Sequence, residues 1–347
     1  MKKVLTLILA LVLAFSLIAC GEQADVTDIA VLVPNADHGW TGAVMTYAEE
    51  YAAKITGEGK YSVKVITSTD AANQISQIED LIENKTAKNV VILPQDNTVE
   101  ASMKKLAASG IPFVMFDRII DSVSAQAVAS VKGDNNGIGA ETAKRFVANG
   151  MKPGDKILIM PGDNSSVPGM RNDGFFGALK EAGWTEDQIA AIESTDYTGW
   201  SRSKGKELFI SFLDSHSVEE IKEYKWIFTH DDEIGMGILE ALKSSEIDAE
   251  KKAAFYEANV NLAASSGLNE MYSVLKGIHQ KDYSAEVAEL ADLFSVTYDP
   301  AMIQTAIQDM IDNLEGKAVT KDHVIAVDLV DAKNVANFQG FGDAVSG

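Results

Sequence analysis

Asp117 and Arg118 stand at the end of a short apolar run, Phe113-Val114-Met115-Phe116, which follows the turn Gly110-Ile111-Pro112. A carboxylate accepts hydrogen bonds, and a guanidinium donates up to five in a planar fork. Side by side at a strand end, they suit a small polar ligand held by charge-assisted bonds. The same pair also serves as a solvated ion pair where a strand stops, and alone that plainer role is the commoner. His38 and His230 lie in candidate loops, but five histidines without metal-ligand spacing argue against zinc. Gln95, at the end of the run Val90–Leu93, is a secondary candidate. The chain lacks a Gly-x-Ser-x-Gly elbow, a phosphate-binding glycine loop and any evident Ser/His/Asp set, which counts against an enzyme. No cofactor is expected.

The surrounding pattern says what must position these residues. A fully apolar run bounded by turns reads as a strand buried on both faces of a parallel sheet. Ile29–Val33, Tyr61–Thr67, Val90–Leu93 and Phe113–Phe116 read as strands. Helices are expected over 41–55, from Asp70 with Ile75, Ile78, Leu81 and Ile82 on one face, and over 99–108. This is β-α repeated with short loops, the signature of a doubly wound parallel sheet. In such sheets ligands sit beyond the carboxyl ends of the strands, where Asp117 and Arg118 fall.

A second series follows. Strands are expected at 127–131, 156–160, 190–194, 226–229, 260–264, 293–297 and 324–327. Helices are expected from an Asp134 cap to Asn149, and over 171–181, 201–213, 234–242 and 300–314. No Pro/Gly/Ser-rich linker separates the series, so the chain is expected to cross between them on strands. At 347 residues, two domains are expected.

The N-terminus carries an address. Lys2-Lys3 precedes an apolar stretch, Val4–Ala19, too short at its core for a confident membrane span. Leu17-Ile18-Ala19-Cys20 resembles a bacterial lipobox, implying a signal peptide over residues 1–19 and lipid attachment at Cys20. Cys20 is the sole cysteine, so an exported domain with no internal disulfide keeps its one thiol where a lipid goes. Residues 20–28 would form the lipidated tether. The net charge of −21, more negative once Lys2 and Lys3 are removed, argues against nucleic acid and electrostatic binding to anionic lipid.

Five further segments occur in a telling order: Phe116-Asp117-Arg118, Gly133-Asp134-Asn135, Arg171 before Gly174-Phe175, Phe228-Thr229-His230-Asp231-Asp232-Glu233, and Ala326-Val327-Asp328-Leu329. In these the chain resembles the type I periplasmic sugar-binding proteins, the ribose- and galactose-binding kind served by ATP-binding-cassette importers. The resemblance implies two doubly wound α/β lobes joined by a three-segment hinge near 131–133, 296–299 and 326–328. The N-terminal lobe would be 29–132 plus 299–326, and the C-terminal lobe 133–298 plus 327–347. It implies a monosaccharide or polyol ligand, a membrane permease as partner, a monomer, and a place on the outer face of the cell membrane.

By matching motifs, Asp117 and Arg118 would hold hydroxyls from the first lobe, and Arg171 and Asp231 from the second. Asp37 and Trp40 fall in the first ligand loop, Trp200 at a stacking aromatic, and Tyr298 at an amide-bearing hinge position. Asp232 and Glu233 are expected to favour the helix dipole instead. Two departures bear on which ligand is taken: Asp231 stands where the family usually has Asn, and Ala263-Ala264-Ser265-Ser266 stands where an Asp is expected. A sensor for a furanose-like signal such as autoinducer-2 is the alternative role.

Overall fold

Apolar strands alternate their side chains between two faces, and here both faces are covered. The computed structural model describes residues 27–35 and 39–342. Its strands in chain order are β1 (Thr27–Pro34), β2 (Val63–Ser68), β3 (Ala87–Ile92), β4 (Phe113–Phe116), β5 (Ala129–Gly133), β6 (Lys156–Met160), β7 (Glu193–Ser194), β8 (Tyr224–Thr229), β9 (Asn261–Ser266), β10 (Asp292–Thr297), β11 (Asp322–Ile325) and β12 (Leu329–Asp331). They form two six-stranded sheets, ordered β11-β5-β4-β3-β1-β2 and β12-β10-β9-β8-β6-β7. The first is parallel throughout; in the second only β12 runs antiparallel, against β10.

The period-two split is visible in β1. Ile29, Val31 and Val33 pack with Val44 and Ala48 of helix Gly39–Gly57 and with Ile303 and Ile307 of helix Met302–Leu314. Ala30 and Leu32 face Ile78, Met103 and Leu106 of the helices on the other side. Shifting this register by one residue would exchange the two cores, so the pairing of Val31 with Val65 and Val91 is well specified. In the second sheet, Leu158 and Ile227 pack with Phe209, Ile234 and Ile238, while Ile157, Phe228 and Phe294 face Phe146 and Phe175.

The chain passes between sheets at three places. After Gly133, the Asp134 carboxylate accepts Gly137 N–H at 2.7 Å and starts helix Asn135–Ala148. Beyond β10, residues 298–301 lead back to helix Met302–Leu314, and residues 326–328 join β11 to β12. The passages are tied together: Asp134 N–H donates to Ile325 O and Thr297 N–H to Asp328 O, each at 2.9 Å.

Four local expectations change. β1 begins at Thr27, inside the expected tether, and Asp28 accepts from Ser62 and pairs with Lys88. The expected strand 190–194 shrinks to β7, because a Thr185–Gln188 capping box starts a helix that takes residues through Ala190. Helix Ser166–Glu181 begins five residues before Arg171; Ser165 accepts Val167 N–H, and Pro168 fits the first turn. The expected strand 324–327 ends at Ile325, and Leu329–Asp331 forms an additional strand.

Among the described residues no helix is long and apolar enough to cross a membrane. The expected signal segment and Cys20 lie outside those residues.

Candidate ligand-binding site

The carboxyl ends of β4, β6, β8, β9 and β10 converge on the gap between the sheets. β4 stops because Asp117 turns into the left-handed region, φ 61°, while its N–H still donates to Val131 O at 2.8 Å. That turn aims the carboxylate into the gap, where it accepts the Tyr298 hydroxyl. Asp117 is 4% exposed. Burial raises its pKa, opposed by Arg118, the Tyr298 hydroxyl and Arg171.

Both arginines are steadied by a backbone carbonyl. Arg118 donates to Gln95 O through Nη1, approaches Asp163 at 3.5 Å through Nη2, and keeps a buried, unpartnered Nε. Arg171, 3% exposed, donates to His230 O, to Ser265 Oγ at 3.1 Å and to Asn135 Oδ1 at 3.0 Å. Its guanidinium lies between two rings, 5.3 Å from the Trp200 centroid and 5.0 Å from that of Tyr298.

The aromatic walls are seated on the backbone. The Trp200 indole lies over Gly162, where any Cβ would collide with the ring. Trp40 donates from Nε1 to Tyr298 O at 2.8 Å and stacks on Phe116 at 6.0 Å. Tyr298 Oη also accepts from Asn135 Nδ2 at 3.1 Å.

Asp231 caps helix Asp232–Lys243, accepting Ile234 N–H at 2.9 Å, and faces the same gap. Burial pushes its pKa well above the usual carboxylate range, helped by Glu233 and Asp232 and opposed by Ile234 N–H and Arg171. Asp232 turns away: it accepts Ser295 Oγ–H and the N–H groups of Gly267 and Leu268, and burial raises it to about 6. Glu233 pairs with Arg202 at 2.7 Å. The first-turn acids therefore do more than complement the helix dipole.

Trp40, Asp117, Arg118, Arg171, Trp200, Asp231 and Tyr298 line one cavity, together with Val167 and Ser266. Asp37 and His38 lie outside the described residues. Gln95 and His230 do not line it with their side chains; each serves an arginine through its carbonyl. His230 is buried against Phe228 and Asn172, and burial with Arg171 nearby lowers its pKa far below the usual value. Among the described residues no acid, His and Cys group is placed to hold a metal.

Backbone strain concentrates here. Six non-glycine residues among those described have positive φ, and three of them, Asp117, Trp200 and Ser266 (φ 119°), line the cavity. Such conformations cost about 1–3 kcal/mol each and persist where surrounding structure fixes them, often at ligand clamps. The cavity measures about 30 Å³, roughly one water, because its own groups bond one another across the gap.

A family model described as "periplasmic binding protein domain" matches residues 29–318. The chain belongs to the periplasmic binding protein family. The ribose import binding protein RbsB of Bacillus subtilis is 26% identical over 193 residues, 54% of this chain and 58% of that protein. The alignment thus spans little more than half of that relative. The fructose import binding protein FruE of Bifidobacterium longum is 22% identical over 269 residues, 76% of this chain and 73% of its own. Among solved structures, a myo-inositol binding protein from Caulobacter superposes with TM-score 0.70 at 20% identity, covering 92% of this chain and 97% of that one. The fold is that of the type I periplasmic binding proteins, and the family binds solutes rather than transforming them.

In this periplasmic binding protein, four gap residues were not among the expected site residues: Asn135 and Ser266, which lie in motifs named above, and Asp163 and Val167. Asp163 was the most accessible of them, since Pro161-Gly162-Asp163 follows a strand's carboxyl end. Ser265 and Ser266 occupy the stretch where the resemblance implied an Asp. Ser265 Oγ–H donates to His230 O at 2.8 Å and accepts from Arg171, so a neutral hydroxyl does the buried work there.

Proposed function

We propose that this chain is an extracytoplasmic solute-binding lipoprotein that closes on a monosaccharide or sugar alcohol and delivers it to an ATP-binding-cassette permease. The observation that carries the reading is the convergence of the buried Arg171, the half-buried Arg118, two buried aspartates and three aromatic rings on one gap. Polyols present hydroxyls that donate and accept, on a frame with weakly apolar C–H faces. Asp117 and Asp231 accept hydrogen bonds from hydroxyls, Arg118 Nε and Arg171 donate, and Trp40, Trp200 and Tyr298 cover C–H groups. A buried hydroxyl left unpaired costs about 1–3 kcal/mol, so an epimer is rejected strongly.

In this reading the lobes comprise 29–132 plus 299–326 and 133–298 plus 327–347. Binding to residues of both gives the closed form its differential affinity. Cys20 carries the lipid, the mature protein is a monomer on the outer face of the membrane, and no nucleic acid is involved. Support for a sugar comes from the relatives named above, whose names state ribose and fructose import.

A thermal-shift screen of the purified mature protein against pentoses, hexoses, polyols and autoinducer-2 tests the proposal. The expected result is a raised Tm with at least one sugar or polyol and no turnover of it. A response to autoinducer-2 alone would move the chain to the sensor role, and turnover without a shift would overturn the binding role.

A further inference from the structure

We infer that Asp163 is a positioning residue that grips Arg118 across the gap, so that the guanidinium facing the ligand also holds the lobes closed. Arg118 follows β4 in the first sheet, whereas Asp163 follows β6 in the second. Among the described residues, Arg118–Asp163 is the one ion pair joining the two lobes; the other pairs lie within one lobe or the other.

Both partners are held ready. Gln95 O fixes Arg118 Nη1 from the first lobe. Ser165 N–H donates to Asp163 Oδ1 at 2.9 Å, leaving Oδ2 for Arg118. The Asp163 loop is fastened to the Trp200 loop by Gly199 N–H to Gly162 O at 2.8 Å and Thr198 N–H to Pro161 O at 3.0 Å. With side chains 17% and 29% exposed, the pair is shielded enough to matter yet open enough to respond to salt. Arg118 Nε is a buried donor without a hydrogen-bond partner, and it remains for the ligand. One side chain thus reads the ligand and the closure state together. Because the whole chain is strongly acidic, a local attraction across the gap works against general repulsion between the lobes.

The inference rests on the two-lobed binding-protein reading but not on the ligand being a sugar, so its test uses no ligand. Nitroxide labels on Asn97→Cys and Tyr197→Cys, exposed residues of opposite lobes, in a Cys20→Ser background report the inter-lobe distance by double electron–electron resonance. The ligand-free protein should populate a short distance. Asp163→Asn should lower the closed-to-open ratio about fivefold or more, within the usual range for coupled sites. Asp163→Glu should restore part of it. Raising salt from about 0.05 to about 0.5 M should reduce closure in the wild type more than in Asp163→Asn, as screening weakens the pair. Unchanged distances in Asp163→Asn, or Asp163→Glu behaving like Asn, would overturn the inference. Should Asp163→Asn fail to fold, Asp163→Ser takes its place, and unchanged distances in that variant overturn the inference. A sugar screen without a hit leaves all these outcomes readable.

Discussion

Asp231 combines two duties that substitution can separate. Asp231→Asn keeps an oxygen for Ile234 N–H and removes a charge that burial, Asp232 and Glu233 all disfavour. Ligand-free stability should hold or rise, while affinity falls about tenfold or more as a charged acceptor is lost; melting curves with and without ligand measure both. Arg118→Ala should remove the ligand-induced shift, with a loss of ligand-free stability of at most about 3 kcal/mol, the upper worth of a hydrogen bond to a charged group. Asp232 gives a pH signature. Its pKa is about 6 folded against 3.8 as reference, so the stability it lends is present below about pH 4 and lost as pH rises through about 6. Asp232→Asn should therefore gain on the wild type between these limits, by about 3 kcal/mol, in denaturant titrations at stepped pH. The side chains aimed at the gap were legible as residue types after strand ends. Asn135 and Ser266 were not, because an Asn after a helix cap and a Ser in a strand carry no mark of the φ or the neighbour that makes them part of a site.

Elements place these side chains through close backbone contacts. Helices Asn135–Ala148 and Ser166–Glu181 cross where Gly174 meets Asn136 O, and this crossing carries both Asn135 and Arg171. A Cβ at Gly174 would strike that carbonyl, so Gly174→Ala should lower stability by about 1–3 kcal/mol, as overpacking does, and weaken binding with it. Gly162→Ala tips the Trp200 indole from Arg171 and should weaken ligand binding with a smaller change in Tm, which separates wall from scaffold. The parallel strands were legible because continuous apolar runs between turn residues have few other uses. The shortness of β7, within the expected 190–194, and the existence of β12 were not. A two-residue strand has no periodicity, and Leu329–Asp331 joins β10 only through a chain passage that local pattern does not encode.

On the scale of the whole molecule, two acidic lobes meet through groups that largely satisfy one another while leaving donors such as Arg118 Nε and Trp200 Nε1 without a hydrogen-bond partner. In the proposed role a ligand would compete with the Tyr298–Asp117 contact and widen a cavity of about 30 Å³, which would couple binding to the opening of the gap. The order of motifs made the paired lobes legible, but how nearly the gap closes on itself depends on side chains from chain segments far apart in sequence. Calorimetric titration of the responding sugar or polyol into wild type, Arg118→Ala and Arg171→Lys is the most direct test. One-to-one binding in the wild type, lost in Arg118→Ala and weakened at least about tenfold where Lys replaces the planar fork, is the predicted result. Binding that persists unchanged in both variants would place the ligand elsewhere and contradict the site described here.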